Sequence, residues 1–379
     1  MVARKYVPIP DDEREIDRYI TRRSGSDRWK TIIKSTIEQM IGIIGKPIVE
    51  ITTDDLFKAR DIVIRSDYSQ NYRRKLIYNM KNFFVWYFEQ KKINNSEILA
   101  MKVPKGQWKT KSPKDMLSTD DIETLLKSCK TPRDRCFCAM LWDGSNRPIE
   151  LLRLTWEDII SDEYGYFFTT NAKTGKNRHI RLTISIPYLD EWRRNYPGDA
   201  SGNNPVFVTS CKYPDGKHHA WQADGARSMI QVLREATGIK NLKPSYFRPS
   251  RITHDMKNKV DMAYIMKKNW GTLKTTMLET YTNLDQEYLD QTALRHAGMA
   301  RVADMKEQKT HKIEPPVCPK CQTMNTLGSQ FCSRCQNPLT DFANKQVEEL
   351  KTLVGNSPEA LEAYIEKMVA AKIAAALQK

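Results

Sequence analysis

With 379 residues, 40% hydrophobic, 9% aromatic and 28% charged, the chain can supply two or three domains with ordinary cores. No run of eighteen apolar residues occurs, so transmembrane-helical, collagenous and wholly disordered classes are excluded. Lysine and arginine number 61 against 46 acidic residues, a formal net charge of +15, the balance of a protein that meets a polyanion, with nucleic acid as the leading partner.

The opening MVARKYVPIPDDERE carries neither a signal-peptide apolar core nor a lipidation motif, so no membrane partner and a cytoplasmic location are expected. From Asp11 to about Leu99 the pattern is helical. Trp29, Ile32, Ile33, Thr36, Ile37, Met40 and Ile41 recur every three to four residues. Thr53 and Asp54 form an N-cap signal for a short helix through Leu56, Ala59 and Val63. A longer helix near Gln70 carries Tyr72, Leu76, Met80, Phe83, Phe84, Tyr87 and Phe88, interleaved with Arg73, Arg74, Lys75 and Lys81. Residues 1–101 are thus expected to be a helical bundle with basic outer faces, which suit DNA or simply a solvated surface.

Residues 102–116 are rich in lysine and contain proline and glycine without apolar periodicity, the signature of a basic linker. A second domain, 117–300, opens with Ser118 and Asp121 spaced as a capping box. Tyr166–Asn171 and His179–Ile186 read as a hairpin joined through Lys173-Thr174-Gly175-Lys176-Asn177-Arg178. Further helices are expected over 223–236, 250–268 and 273–282. One hairpin amid helices argues for an α+β domain in a mostly α, multidomain chain.

Cys318-Pro-Lys-Cys321 and Cys332-Ser-Arg-Cys335 are two C-x2-C knuckles ten residues apart. Facing each other, they supply the four thiolates that a closed structural Zn2+ site takes, with a redox disulfide pair as the alternative. The module, 315–340, resembles short zinc ribbons and is expected to sit outside the catalytic core. Cys129, Cys136, Cys138 and Cys211 lack such spacing and are expected to be buried small apolar residues. In the last segment, 341–379, Ser357 and Pro358 read as N-cap and N1 of a helix.

Four features of the middle domain bear on chemistry. Arg147 stands at a helix mouth in Gly144-Ser-Asn-Arg-Pro-Ile-Glu150. Lys173 ends a strand, Arg248 lies in Lys243-Pro-Ser-Tyr-Phe-Arg-Pro-Ser-Arg251-Ile-Thr-His254, and Tyr281 lies in Thr276-Met-Leu-Glu-Thr-Tyr-Thr-Asn. In this order they resemble the tyrosine recombinases, the phage integrases and Xer-type enzymes. The likeness spans roughly residues 117–296 and is nearest the archaeal branch, where Ser-Arg-x-Thr-His likewise follows the second arginine. The helical N-terminal region is similar to that family's core-binding domain.

The resemblance implies DNA strand transesterification, with Tyr281 as nucleophile, Arg147 and Arg248 as the phosphate clamp and Lys173 as general acid, and no cofactor for catalysis. It also implies double-stranded DNA as partner and four protomers on paired sites. Tyr264 and Tyr288 compete with Tyr281, and Lys176 and Arg178 with Lys173. Glu150 is placed to buttress Arg147. Three positions depart from the family: Ser245 stands where a histidine is usual, Pro249 follows Arg248 where a histidine is often found, and Trp270 or Thr272 replaces the later His or Trp with shifted spacing. His254, His218 and His219 are possible substitutes. The rival readings are a catalytically weakened, recombinase-fold DNA-binding or regulatory protein and a zinc-ribbon interaction adaptor without DNA affinity.

Overall fold

In the computed structural model, which describes residues 9–107, 112, 115–170, 177–275, 313 and 315–356 together with positions 290, 293 and 297, the chain forms two compact units, Met1–Lys109 and Thr110–Lys379.

The regular elements of the first unit among the described residues are all helical. Helix α1, Pro10–Thr21, starts with proline at N1 and three acids in its first turn, which suit the positive end of the helix dipole. Helix α2, Asp27–Ile44, is capped by Ser26, whose hydroxyl accepts from Trp29 N–H at 3.3 Å, and stops at Gly45 with φ +74°. The predicted stripe from Ile33 to Ile41 is buried, whereas Trp29 and Ile32 at its start stay exposed. Helix α3, Thr53–Arg65, begins one residue earlier than predicted because Thr52, with Asp55, closes the capping box. Helix α4, Gln70–Lys91, buries Leu76, Met80, Phe83, Phe84, Tyr87 and Phe88 against α2. Each fully buried side chain of this size contributes about 1.5–3 kcal/mol. A short helix α5, Ser96–Ala100, follows. The lysine-rich segment after it is tied back to α4: Asn71 Nδ2 donates to Gln107 O at 2.7 Å, and Gln70 Nε2 to Lys105 O at 3.0 Å.

In the second unit α6, Thr119–Ser128, carries the expected Ser118–Asp121 capping box. Helix α7, Pro132–Asp143, is buried from Cys136 through Asp143 and forms the centre of the core. This explains Cys136 and Cys138, and Cys129 is buried too, but Cys211 is exposed, contrary to expectation. A four-residue helix α8, Pro148–Leu151, leads to a three-stranded antiparallel sheet of β1, Ile160–Asp162, β2, Gly165–Thr170, and β3, Arg178–Arg181. Phe168 pairs with Ile180 and both point into the core, while Thr170 pairs with Arg178 at the loop end.

The hairpin is shorter than predicted. Thr183 and Ser185 turn away to donate four hydrogen bonds to the buried Asp143 carboxylate, and Ile186 starts helix α9, Ile186–Arg194. Helix α10, Ala223–Thr237, matches its predicted span. The expected 250–268 helix is instead two, α11 at Pro244–Lys257 and α12 at Met262–Trp270. Lys259 at φ +57° breaks the run, and the Asp261 carboxylate, accepting from Tyr264 N–H at 2.9 Å, starts the second helix. Helix α11 begins before Pro249 and passes through it, because Pro244 already sits at N1. Of the span 273–282, the described residues up to 275 are not helical, and the rest lies outside the described residues. A helix covers Asp341–Asn356; the signal at Ser357 and Pro358 lies outside the described residues.

Candidate functional site

The site grows from the turn between α7 and α8. Ser145 adopts φ +49° while fully buried, and Asn146 Nδ2 donates to Met140 O at 3.0 Å. This turn aims the Ser145 carbonyl inward and Arg147 outward. Arg248, in the third position after Ser245 on α11, reaches that carbonyl with Nη1 at 3.0 Å and donates through Nη2 to the carbonyl of Asn269. Its guanidinium lies 5.5 Å from the Trp270 ring centroid, a cation–π distance. Arg248 and Trp270 therefore share one locus, Arg147 follows two residues after the carbonyl that Arg248 holds, and Ser245 is exposed on the first turn of α11. Lys173 and Tyr281 lie outside the described residues.

The two arginines differ in character. The Arg248 residue is 4% exposed and the Arg147 side chain 44%, so Arg147 is the cation a solvent-borne anion would meet first. Glu150 closes on Arg147 as expected: Oε1 accepts from Arg147 Nη1 at 2.9 Å and Oε2 from its backbone N–H at 2.7 Å. Spacing did not indicate the third partner. Arg178, at the start of β3, is 1% exposed and donates through Nη2 to Glu150 Oε2 and through Nη1 to Lys268 O at 3.0 Å. Burial pulls its pKa below the ordinary value, Glu150 opposes this, and Arg147 adds to it. Tied in this way, Arg178 is not a candidate proton donor to a leaving group.

The carbonyls of Lys268 and Asn269, consecutive at the C-terminal end of α12, thus hold one guanidinium each, where the helix dipole favours cations. Behind them lies a second ionic group that sequence reading missed apart from His254. The buried Asp255 carboxylate accepts from Arg251 Nε at 2.7 Å and sits 3.5 Å from Lys268 Nζ and 3.6 Å from His254 Nδ1. Burial pushes the Lys268 ammonium pKa down. For Asp255 burial works upward, but the nearby His254 and the Lys268 and Arg251 cations leave the net shift downward. The i,i+4 spacing of Arg251 and Asp255 was its one local signal. Tyr264 is half-exposed on α12 with its phenol pushed up by burial. His218 and His219 bond locally, to Thr209 O and Asp215.

The knuckles form a near-duplicate pair. Gln322 and Gln336 follow them at φ +58° and +59°, and each donates its N–H to the first cysteine's carbonyl at 2.9 Å. Cys318 and Cys332 N–H groups return to Thr323 O and Asn337 O. All four Sγ atoms lie within 4.8 Å of one another, with 3.5 Å between Cys318 and Cys335 and 3.6 Å between Cys321 and Cys332. A tetrahedral zinc with Zn–S of about 2.3 Å needs edges of about 3.8 Å, so the donor set fits such an ion. The module contacts the second unit: Leu327 packs on its hydrophobic core and donates its N–H to the Tyr188 hydroxyl at 3.1 Å, and Ile313, just before the module, is a core member. The module of residues 315–340 thus touches that core at Leu327.

Residues 115–287 match the model of the phage integrase family, so this stretch carries a phage integrase family domain; Lys173 and Tyr281 fall within it. Transposase A from transposon Tn554 of Staphylococcus aureus is 22% identical over 200 residues, covering 50% of this chain and 53% of that protein. The chain thus spans about half the length of the curated relatives it matches. Among solved structures, a lambda integrase dimer bound to a COC' core site is 15% identical with a TM-score of 0.56, covering 72% of this chain and 77% of that one. XerH site-specific recombinase in a post-cleavage complex with palindromic difH substrate is 14% identical with a TM-score of 0.54, covering 78% and 91%. The fold is that of the tyrosine recombinases, mostly helical with a small sheet, as the sequence implied.

Proposed function

We propose that the chain is a site-specific DNA recombinase or integrase, cutting and rejoining double-stranded DNA through a 3'-phosphotyrosine intermediate. The observation that supports this reading is the pairing of Arg248 with Trp270 and with the Ser145 carbonyl two residues before the exposed Arg147, inside a stretch that matches the phage integrase family. In the proposed step the Tyr281 phenolic oxygen attacks phosphorus and the bond to the 5'-oxygen breaks. Lys173 gives that oxygen its proton, so one phosphodiester replaces another and the later religation needs no external energy. Arg147 supplies the exposed guanidinium fork and Arg248 the fixed buried charge that offset the developing negative charge. Ser245 contributes a hydroxyl donor and Trp270 an indole N–H. The chemistry calls for no catalytic cofactor. Cys318, Cys321, Cys332 and Cys335 would hold a structural Zn2+, which fixes the ribbon's fold.

One solved neighbour with a TM-score of 0.55 is a lambda integrase tetramer bound to a Holliday junction; by that likeness we assign this chain four protomers on paired sites. The archaeal-type affinity rests on the Ser250-Arg251-Ile252-Thr253-His254 run. No helix among the described residues is long and apolar enough to cross a membrane, and a cytoplasmic location is the working assignment. The test uses a nicked duplex whose short fragment diffuses away after cleavage. Wild-type protein should become covalently attached to DNA, and Tyr281→Phe should bind equally well and form no adduct. Serine at position 245 favours a second reading, a weakened recombinase-fold DNA-binding protein, which would bind duplex and form no adduct in either case.

A further inference from the structure

Glu150 poses an electrostatic problem. Its carboxylate grips the Arg147 guanidinium and backbone, and a lone carboxylate in that position would cancel the charge that a phosphate has to find. Arg178 answers it from behind, buried at 1% exposure and bonded to the oxygen of Glu150 that also takes the Arg147 N–H. Two guanidinium groups then share one carboxylate, and the triad carries a net positive charge presented on its solvent side by Arg147. Arg178 Nε is buried with no hydrogen-bond partner, so the guanidinium is held here despite an unmet donor. Its other terminal nitrogen is pinned to the Lys268 carbonyl, beside the Asn269 carbonyl that holds Arg248.

We infer that Arg178 is a positioning residue that neutralises Glu150 from the protein side, leaving the charge of Arg147 available to a phosphate while Glu150 still fixes its geometry. The inference rests on the reading of Arg147 as a phosphate ligand. A residue of this kind acts on the chemical step more than on DNA binding, because the many other phosphate contacts of a basic protein carry affinity.

The experiment measures the single-turnover rate of covalent adduct formation on the nicked duplex, DNA affinity and the unfolding midpoint for wild type, Arg178→Met, Arg178→Lys and Arg178→Met with Glu150→Gln. Arg178→Met should keep DNA affinity and lose about tenfold or more in rate, short of the cost of about 10^2 to 10^3 of removing a transition-state donor outright. Arg178→Lys, which keeps the charge, should recover much of the rate. The double variant, with the carboxylate charge gone, should recover it as well. A salt bridge of purely structural importance would instead make the rates follow the folded fraction, with no recovery beyond it. Should Arg178→Met not fold, the lysine and double variants carry the comparison. Wild-type cleavage with an undiminished Arg178→Met rate overturns this inference alone. A wild type that forms no adduct overturns the phosphate reading of Arg147, and the inference with it.

Discussion

Ser245 shows how much one side chain can decide. It stands exposed on the first turn of α11, three residues before the buried Arg248. A hydroxyl there can donate one hydrogen bond to a phosphate but cannot take a phenol's proton near neutrality. In the proposed step Tyr281 would then rely on its own ionisation, a phenol's normal pKa being about 10. Adduct formation should therefore quicken as pH rises between about 6 and 9, because the reactive phenolate fraction grows tenfold per unit below that pKa. Ser245→His should raise the rate near neutral pH and flatten the profile, since positioned acid–base assistance is worth about 10^2- to 10^4-fold. Single-turnover rates for both proteins check this. A fast wild type with a flat profile would mean that another group already carries the proton, with His254, 3.6 Å from the Asp255 carboxylate, the first to examine.

At the scale of elements, the ribbon and α9 are joined more tightly than their separation in sequence suggests. Tyr188 is buried in α9, burial pushes its phenol up to about 12, and the neutral hydroxyl accepts the Leu327 N–H from 139 residues away. Cys318→Ser should release about one zinc per chain by elemental analysis and also lower the thermal midpoint of the catalytic unit. Tyr188→Phe should retain the metal and cost about 1 kcal/mol, the typical worth of one hydrogen bond. An unchanged midpoint in Cys318→Ser would restore the picture of an independent appendage. Such contacts leave no local trace, which is why this docking was not legible in sequence. What was legible is equally physical: α2, α4, α6 and α10 announce themselves by apolar period and caps, the metal-ligand set by C-x2-C spacing, and the Arg147–Glu150 pair by i,i+3 placement. Strand β1 has three residues, all exposed, and gave no alternation to read. The break between α11 and α12 depends on a left-handed Lys259, a residue type that does not advertise that conformation. Arg178 looked like a rival to Lys173 because hairpin spacing gives register but not the partner across the core.

For the whole molecule, the excess of 61 basic over 46 acidic residues would make the proposed affinity for DNA a matter of released counterions. Contact with about 6 to 10 phosphates implies a loss of about 10^3 to 10^5 in affinity between about 50 and 200 mM salt. Titration of a labelled duplex at several salt concentrations measures the slope. Binding that ignores salt would remove the polyanion argument and favour the adaptor reading. The slope should be nearly the same for Tyr281→Phe, since the substitution removes one phenolic oxygen and no charge.

The end of α12 acts as a common datum. Lys268 and Asn269 present the carbonyls that locate Arg178 and Arg248, Trp270 lies against Arg248, and the chain leaving at Gly271 reaches Tyr281 eleven residues after that tryptophan. A small drift of this helix would carry both acceptors and the indole by the same displacement. The errors that matter are therefore relative ones, and three adjacent residues hold them small in the way a machinist's fixture does, by referring several features to a single edge.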